Sequence, residues 1–235
     1  MGLQPRRLQR FTEQELELLL GKQTLATQQT HRLRLVQPGH RHAQLLDKEE
    51  LNSLTGIQYL SLPLFPSIEM LLTAIKSRPW AQRFQLPGQG PSTEEIHYQQ
   101  QIWRGHVAAI TVDWIDDWIG YGAFANQHLE KGEFVATYTG VVRQVARRWP
   151  DTNGYCMYYP TRVLTRHVIV VDSLKFGNES RFINHSDHPN LDLNYTCDRG
   201  LLFFYVRANR PIGKGTQLTF NYGADYWRER KKKTL

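Results

Sequence analysis

Cysteine is scarce in this chain, with two residues in 235, Cys156 and Cys197. Two thiols cannot build a disulfide framework or a cysteine-rich zinc cluster, and they point to a reducing compartment. Long apolar runs are also missing. The longest uncharged one, Leu201–Val206, has six residues, against the roughly 20 that a membrane-spanning helix needs, so no membrane span is expected. Met1-Gly-Leu-Gln-Pro-Arg-Arg7 carries charge with no apolar stretch behind it, so no signal peptide is expected. Arg6 stands where myristoylation wants Ser or Thr. His40 and His42 form an H-x-H pair, but no carboxylate or thiol cluster supports it, and no metal is expected.

What is present describes a folded, basic protein. Hydrophobic residues make up 40% and charged residues 22%, which excludes a disordered or fibrous chain. The formal net charge is +7. Such a chain suits acidic partners, or basic proteins bound to nucleic acid. Part of the excess lies in Arg228, Arg230 and Lys231-Lys-Lys233. This run reads as a solvated end or as a weak nucleic-acid contact. A dedicated nucleic-acid site would interleave aromatics with the charge, and the run does not.

The texture of the chain changes near residue 105. Before it lie helix signals. Thr12-Glu-Gln-Glu15 and Ser92-Thr-Glu-Glu95 are capping boxes, and Ser67 can cap a helix through Met70, Leu71, Leu72 and Ile75. Pro63, Pro66, Pro79, Pro87 and Pro91 break this stretch into short elements. After residue 105 come short β-type runs: His106–Val112, Phe134–Thr139, Val168–Val171, Leu201–Val206 and Gln217–Asn221. Turn signals separate them, among them Gly177-Asn178, Arg199-Gly200 and Gly213-Lys-Gly215. The expected fold class is α+β, mainly β. Residues 1–105 form a mostly helical N-terminal region, residues 106–227 a sheet-rich domain, and residues 228–235 a basic tail.

Four segments carry the candidate chemistry. Gly120-Tyr-Gly122 lets backbone approach a ligand closely. It lacks the third glycine, the helix and the downstream acid of a dinucleotide loop. Arg181-Phe-Ile-Asn184-His185-Ser186 sets an amide, an imidazole and a hydroxyl side by side. Leu218-Thr-Phe220-Asn221-Tyr222-Gly223 places a phenol at a strand end, and Thr137-Tyr138-Thr139-Gly140 has the same Tyr-near-Gly form. Taken singly, each also reads as a turn, a satisfied core histidine or a β-strand aromatic.

Taken in order, they resemble the SET-domain lysine methyltransferases. The resemblance runs from about Ala108 to Trp227. Gly177-Asn-Glu-Ser-Arg-Phe-Ile-Asn-His-Ser186, followed by Pro189-Asn190, is similar to that family's central motif, with Asp187 in place of its usual cysteine. Gly215–Gly223 is similar to its last motif. Tyr138-Thr-Gly140 resembles its Tyr-x-Gly strand, with Thr137 and Val141 replacing the acids.

This resemblance implies a fold of small curved sheets with a threaded C-terminal segment. It also implies S-adenosylmethionine as cofactor, held by Gly120, Tyr121, Gly122, Gly154, Tyr155, Arg181, Phe182, Asn184, His185 and Tyr222. Tyr222 would be catalytic with Tyr138. Tyr138 and Phe220 would line the substrate channel, and a Phe at position 220 leaves room for more than one methyl. Trp227 is expected as an aromatic lid over the adenine, because the family's zinc-bound cysteine clusters are missing.

The reaction would be an in-line transfer of methyl to a neutral lysine amine. Burial and the sulfonium charge would push the amine pKa down from its usual ~10.4, so no dedicated base is required. Histones or histone-like basic proteins are the implied substrates, and the oligomeric state is left open. The short, cysteine-poor form resembles SET proteins of bacteria that live in eukaryotic cells. That places it as a bacterial effector, in the bacterial cytoplasm or secreted and reaching a host nucleus. A catalytically silent SET-fold binding module is the alternative.

Overall fold

The computed structural model describes residues 7–25, 31–77, 91–147, 153–160, 166–228 and 230. The expected basic run Lys231-Lys-Lys233, Arg6, Pro79 and Pro87 lie outside those residues.

The expected helices form where their caps lie. In α1 (Glu13–Leu19) and α4 (Thr93–Trp103), Thr12 and Ser92 accept from the third-residue amide while Glu15 and Glu95 reach back. Sequence reasoning passed over a third box, in which Asp47 and Glu50 start α2 (Lys48–Thr55) in the same way. The Ser67 hydroxyl accepts from the Met70 amide at 3.1 Å to open α3 (Ile68–Ser77).

The first 105 residues also contribute three short strands, β1 (Leu33–Val36), β2 (Gln44–Leu46) and β3 (Gln58–Tyr59). The expected boundary near residue 105 therefore marks no break in packing. Strand β1 pairs with β2 and also runs parallel to β4 (Ile110–Asp116), which forms a hairpin with β5 (Gly120–Ala125). Strand β4 sits four residues later than the apolar run suggested. Gly105 turns the chain at φ 62, and of the run's first residues Val107 makes only a bridge, to Ala136.

The remaining sheets are small. Strands β6 (Phe134–Thr137), β12 (Leu191–Asp198) and β13 (Leu201–Ala208) form one, and β7 (Val141–Ala146), β8 (Cys156–Tyr158) and β9 (His167–Asp172) form another. The β12–β13 turn has positive φ at both Arg199 (49°) and Gly200 (97°), as a type I′ hairpin needs. Strand β3 pairs with β10 (Phe176–Gly177), and β11 (Asn184–His185) pairs in parallel with β14 (Thr219–Phe220). Helix α5 (Ala224–Trp227) follows.

Two large apolar cores hold most of these layers together, and Val145, Val168 and Val170 form a small third. One packs Leu16, Leu19, Phe65 and Leu71 of the first half against Tyr138, Val142 and Phe203 of the second. The other packs Leu33, Leu35 and Leu51 against Val112, Val206 and Phe220.

Candidate functional site

The site grows from one turn. Asn178, 2% exposed, accepts from the Ser180 amide at 3.0 Å and donates to the Thr137 carbonyl at 3.0 Å. These bonds start a 3₁₀ turn at Glu179–Phe182 and hold it to β6. The chain then extends into β11. Asn190 performs the companion task. Its amide donates to the Gln217 carbonyl at 2.7 Å, and its oxygen accepts from the Thr219 amide at 2.9 Å. The last motif is thereby laid beside the central one. The Tyr222 amide donates to His185 Nδ1 at 3.1 Å, and the Tyr222 hydroxyl donates to the Ile183 carbonyl at 2.8 Å. Because Nδ1 accepts, His185 carries its proton on Nε2, which lies 3.3 Å from Asp187 Oδ1.

A cleft of about 620 Å³ opens over this junction. Gly120, Tyr121, Tyr138, Gly154, Tyr155, Arg181, Phe182, Asn184, His185, Phe220, Tyr222 and Trp227 all line it. Gly122 stands behind the wall instead. A Cβ there would lie 2.6 Å from Ile115 Cδ1 and 3.2 Å from Asn184 Nδ2. Its bareness lets Asn184 reach the Tyr121 carbonyl, to which the amide donates at 3.1 Å. Asn184 thus ties the Gly-x-Gly strand to β11 with one of its two N–H donors.

Burial dominates the electrostatics. It pushes the Tyr222 phenol well above its ordinary range, helped by Tyr138, Tyr226 and Tyr155 nearby. It raises Tyr138 strongly too, although Ser173 and Arg181 pull the other way. Both phenols therefore stay protonated near neutrality. The Tyr138 hydroxyl donates to the Tyr155 carbonyl at 2.8 Å. The Arg181 guanidinium lies 4.5 Å from the Tyr155 ring centre and 4.8 Å from that of Phe182, and its Nε donates to the Ser173 carbonyl at 3.0 Å. Burial lowers its pKa from the ordinary arginine value, and it remains a cation.

Behind Tyr155, Asn153 donates to Asp172 Oδ1 at 2.7 Å, and Arg143 Nε donates to Asp172 Oδ2 at 2.8 Å. This bracket fixes the Gly154–Tyr155 wall.

Comparison with known proteins agrees with this geometry. Residues 120–223 match the SET domain family. This stretch is similar to a SET domain. Its relatives include histone-lysine N-methyltransferase ASHH3 of Arabidopsis thaliana, 34% identical over 108 residues, or 44% of this chain and 29% of that protein. They also include histone-lysine N-methyltransferase mes-4 of Caenorhabditis elegans, 32% identical over 117 residues, or 44% of this chain and 13% of that one. The chain thus spans less than a third of either relative. The fold is similar to that of ATXR5, solved in complex with histone H3.1 mono-methylated on R26. The TM-score is 0.58 at 22% identity, covering 75% of this chain and 85% of that one.

The cleft also recruits residues that sequence reasoning did not assign. Cys156 and Met157 of β8, Leu193 of β12, Ser180, Ile183, Ile119, Tyr226 and Arg230 line it. Arg230 read as part of a basic tail, yet its Nη1 donates to the Tyr226 carbonyl at 3.0 Å and its guanidinium lies 4.5 Å from the Tyr226 ring centre. Trp227 lies 4.9 Å from His185 and 4.8 Å from Tyr226, ring centre to ring centre, and its buried Nε1 has no partner among the described residues. His40 and His42 are exposed. Among the described residues, no group of three or more His, Cys, Asp or Glu is placed to hold a metal.

Proposed function

We propose that this chain is a protein-lysine N-methyltransferase that uses S-adenosylmethionine and acts on histones or histone-like basic proteins. One observation carries the reading. The Tyr222 phenol, the Tyr138 phenol and the Asn184-His185 pair come from three separate motifs and converge on one cleft that no carboxylate among the described residues lines. The lining suits the cofactor. Arg181 and Arg230 offer charge to a carboxylate, and the rings of Phe182, Tyr226 and Trp227 suit an adenine. The tyrosine faces suit a sulfonium. The unpartnered Trp227 Nε1 is a donor in want of an acceptor.

S-adenosylmethionine would supply an electrophilic methyl. The chain's own residues do the rest. Tyr138 and Tyr222, held by the Tyr155 and Ile183 carbonyls, form a dry neck that disfavours a charged ammonium. As protonated phenols they cannot serve as bases, so the amine must shed its proton to water before it enters. Their oxygens then orient the amine lone pair. Relatives named as histone-lysine methyltransferases support the substrate class, and the net charge of +7 supports a weak contact with nucleic acid in such complexes. A setting in bacterial cytoplasm or a host nucleus rests on the scarcity of cysteine. The test is incubation with radiolabelled S-adenosylmethionine, core histones and a bacterial histone-like protein. Label on lysine is expected. Tight cofactor binding without transfer would favour a silent binding module.

A further inference from the structure

One buried titratable group has no part in that chemistry. The Glu179 side chain is 3% exposed and sits in the 3₁₀ turn between Asn178 and Arg181. A buried carboxylate is costly unless it is paired. Its partners come from the N-terminal region. The Tyr59 hydroxyl donates to Oε2 at 3.0 Å, and His31 Nε2 lies 2.5 Å from Oε1. The two rings stack with centres 5.1 Å apart. The backbone reinforces the link, since the Leu60 amide donates to the Gly177 carbonyl at 3.0 Å as β3 runs beside β10. The residues that follow Glu179, Ser180 to Phe182, line the cleft.

We infer that His31 and Tyr59 are positioning residues that set, through Glu179, the cleft wall formed by Ser180, Arg181 and Phe182. The cleft's affinity for its ligand therefore depends on a segment outside the SET domain. The choice of S-adenosylmethionine as probe rests on the methyltransferase reading.

The grip is also pH-dependent. Burial alone would lower the His31 pKa, but the hydrogen bond and charge of Glu179 outweigh it and the net shift is upward. A raised folded pKa means that the protonated grip is complete below the ordinary value of about 6.5. It is lost as pH rises through the folded value. The groups facing His31 are Glu179 and Tyr59. Burial drives the Tyr59 phenol far up, so it does not titrate in this range. Arg32, the neighbouring cation, is half exposed and faces Asp47 at 3.9 Å.

Calorimetry with S-adenosylmethionine at pH 6 and pH 8.5 tests the inference on the full chain. Tyr59→Phe and His31→Gln should each weaken binding by ~3–10-fold at pH 6, the scale of one hydrogen bond to a charged group. Wild type should lose more affinity between the two pH values than His31→Gln does. Wild-type affinity and pH profile in both variants, with only the melting temperature lowered, would overturn it. Should His31→Gln fail to fold, Tyr59→Phe, which loses a single oxygen, decides. If the wild type binds no S-adenosylmethionine, the methyltransferase reading fails separately. Hydrogen exchange on the free protein then decides. Faster exchange of amides 180–182 in the variants supports the inference, and unchanged exchange overturns it.

Discussion

Residues 1–105 and residues 106–227 serve the same cleft by different means. The second part supplies every described side chain that lines it except Arg230, and nearly all of them sit in short strings such as Arg181–Ser186 and Phe220–Gly223. Among the described residues, the first part lines none of it. It supplies apolar mass instead, with Leu19, Leu35, Phe65, Leu71 and Ile102 fully buried. Chemistry requires particular residues at particular spacings. Packing requires only volume and apolarity, so a packing region tolerates many different side chains while its job stays unchanged.

A cavity at Phe65 is the strongest way to break this comparison. Phe65 is 0% exposed and packs in the core that holds Tyr138 and Val142. Phe65→Ala should cost ~3–5 kcal/mol. Urea unfolding followed by far-ultraviolet circular dichroism and by cofactor binding should show both signals lost together. Two separate transitions would mean that the regions are independent domains.

Next in size is Tyr222→Phe. It keeps the ring and removes an oxygen from the neck. A loss of ~2.7–4 kcal/mol of barrier lowering, about 100–1000-fold in methyl transfer, is expected. The melting temperature should fall only slightly, because the Ile183 carbonyl loses one donor. Full turnover in this variant would remove Tyr222 from the mechanism.

Asn190→Ala tests the clamp between the two late motifs. It leaves the Gln217 carbonyl and the buried Thr219 amide without these partners. A cost of ~1–3 kcal/mol is expected by thermal melting, with turnover falling in parallel. Stability lost with turnover intact would show that β14 keeps its place without the clamp.

The smallest expected effect lies on a second bridge between the regions. The Arg199 guanidinium forks onto Glu15, at 2.7 and 2.9 Å, with both side chains about a quarter exposed (26% and 24%). Burial raises the Glu15 pKa, but the hydrogen bonds from Arg199 and Thr12 and the Arg199 charge lower it further, and the net direction is down. A depressed folded value gives stability that is present above the ordinary pKa of 4.5 and is lost as pH falls through the folded value. Glu15→Gln should cost about 1 kcal/mol at pH 7, after discount for solvent, and nothing at low pH. An equal cost at both pH values would assign the effect to packing.

The sequence was legible where structure is local. Capping boxes placed α1 and α4, and β-branched runs placed β6, β9 and β13. Of the thirteen residues expected at the site, twelve line the cleft, with eight others beside them. Contacts between distant segments were not legible. Nothing in Leu33–Val36 announces that it will lie beside β4, and nothing in His31 points to a carboxylate 148 positions away. Gly122 was read as a ligand contact because glycine signals close approach. It does permit one, but the approaching group is the Asn184 amide. Cys156, Leu193 and Arg230 carry no motif, and the fold alone delivers them to the cleft.

The parallel pairing of β11 with β14 also dictates the order in which the molecule can become competent. The two strands bracket the whole β12–β13 hairpin, so the intervening chain must be compacted before they can meet. Contacts of this span form late, because loop closure has to be achieved before they yield any stabilisation. Tyr222 reaches the Ile183 carbonyl only at that step. Regaining affinity for the small ligand is therefore a marker for this tertiary step of refolding, and it should lag behind the recovery of local secondary structure.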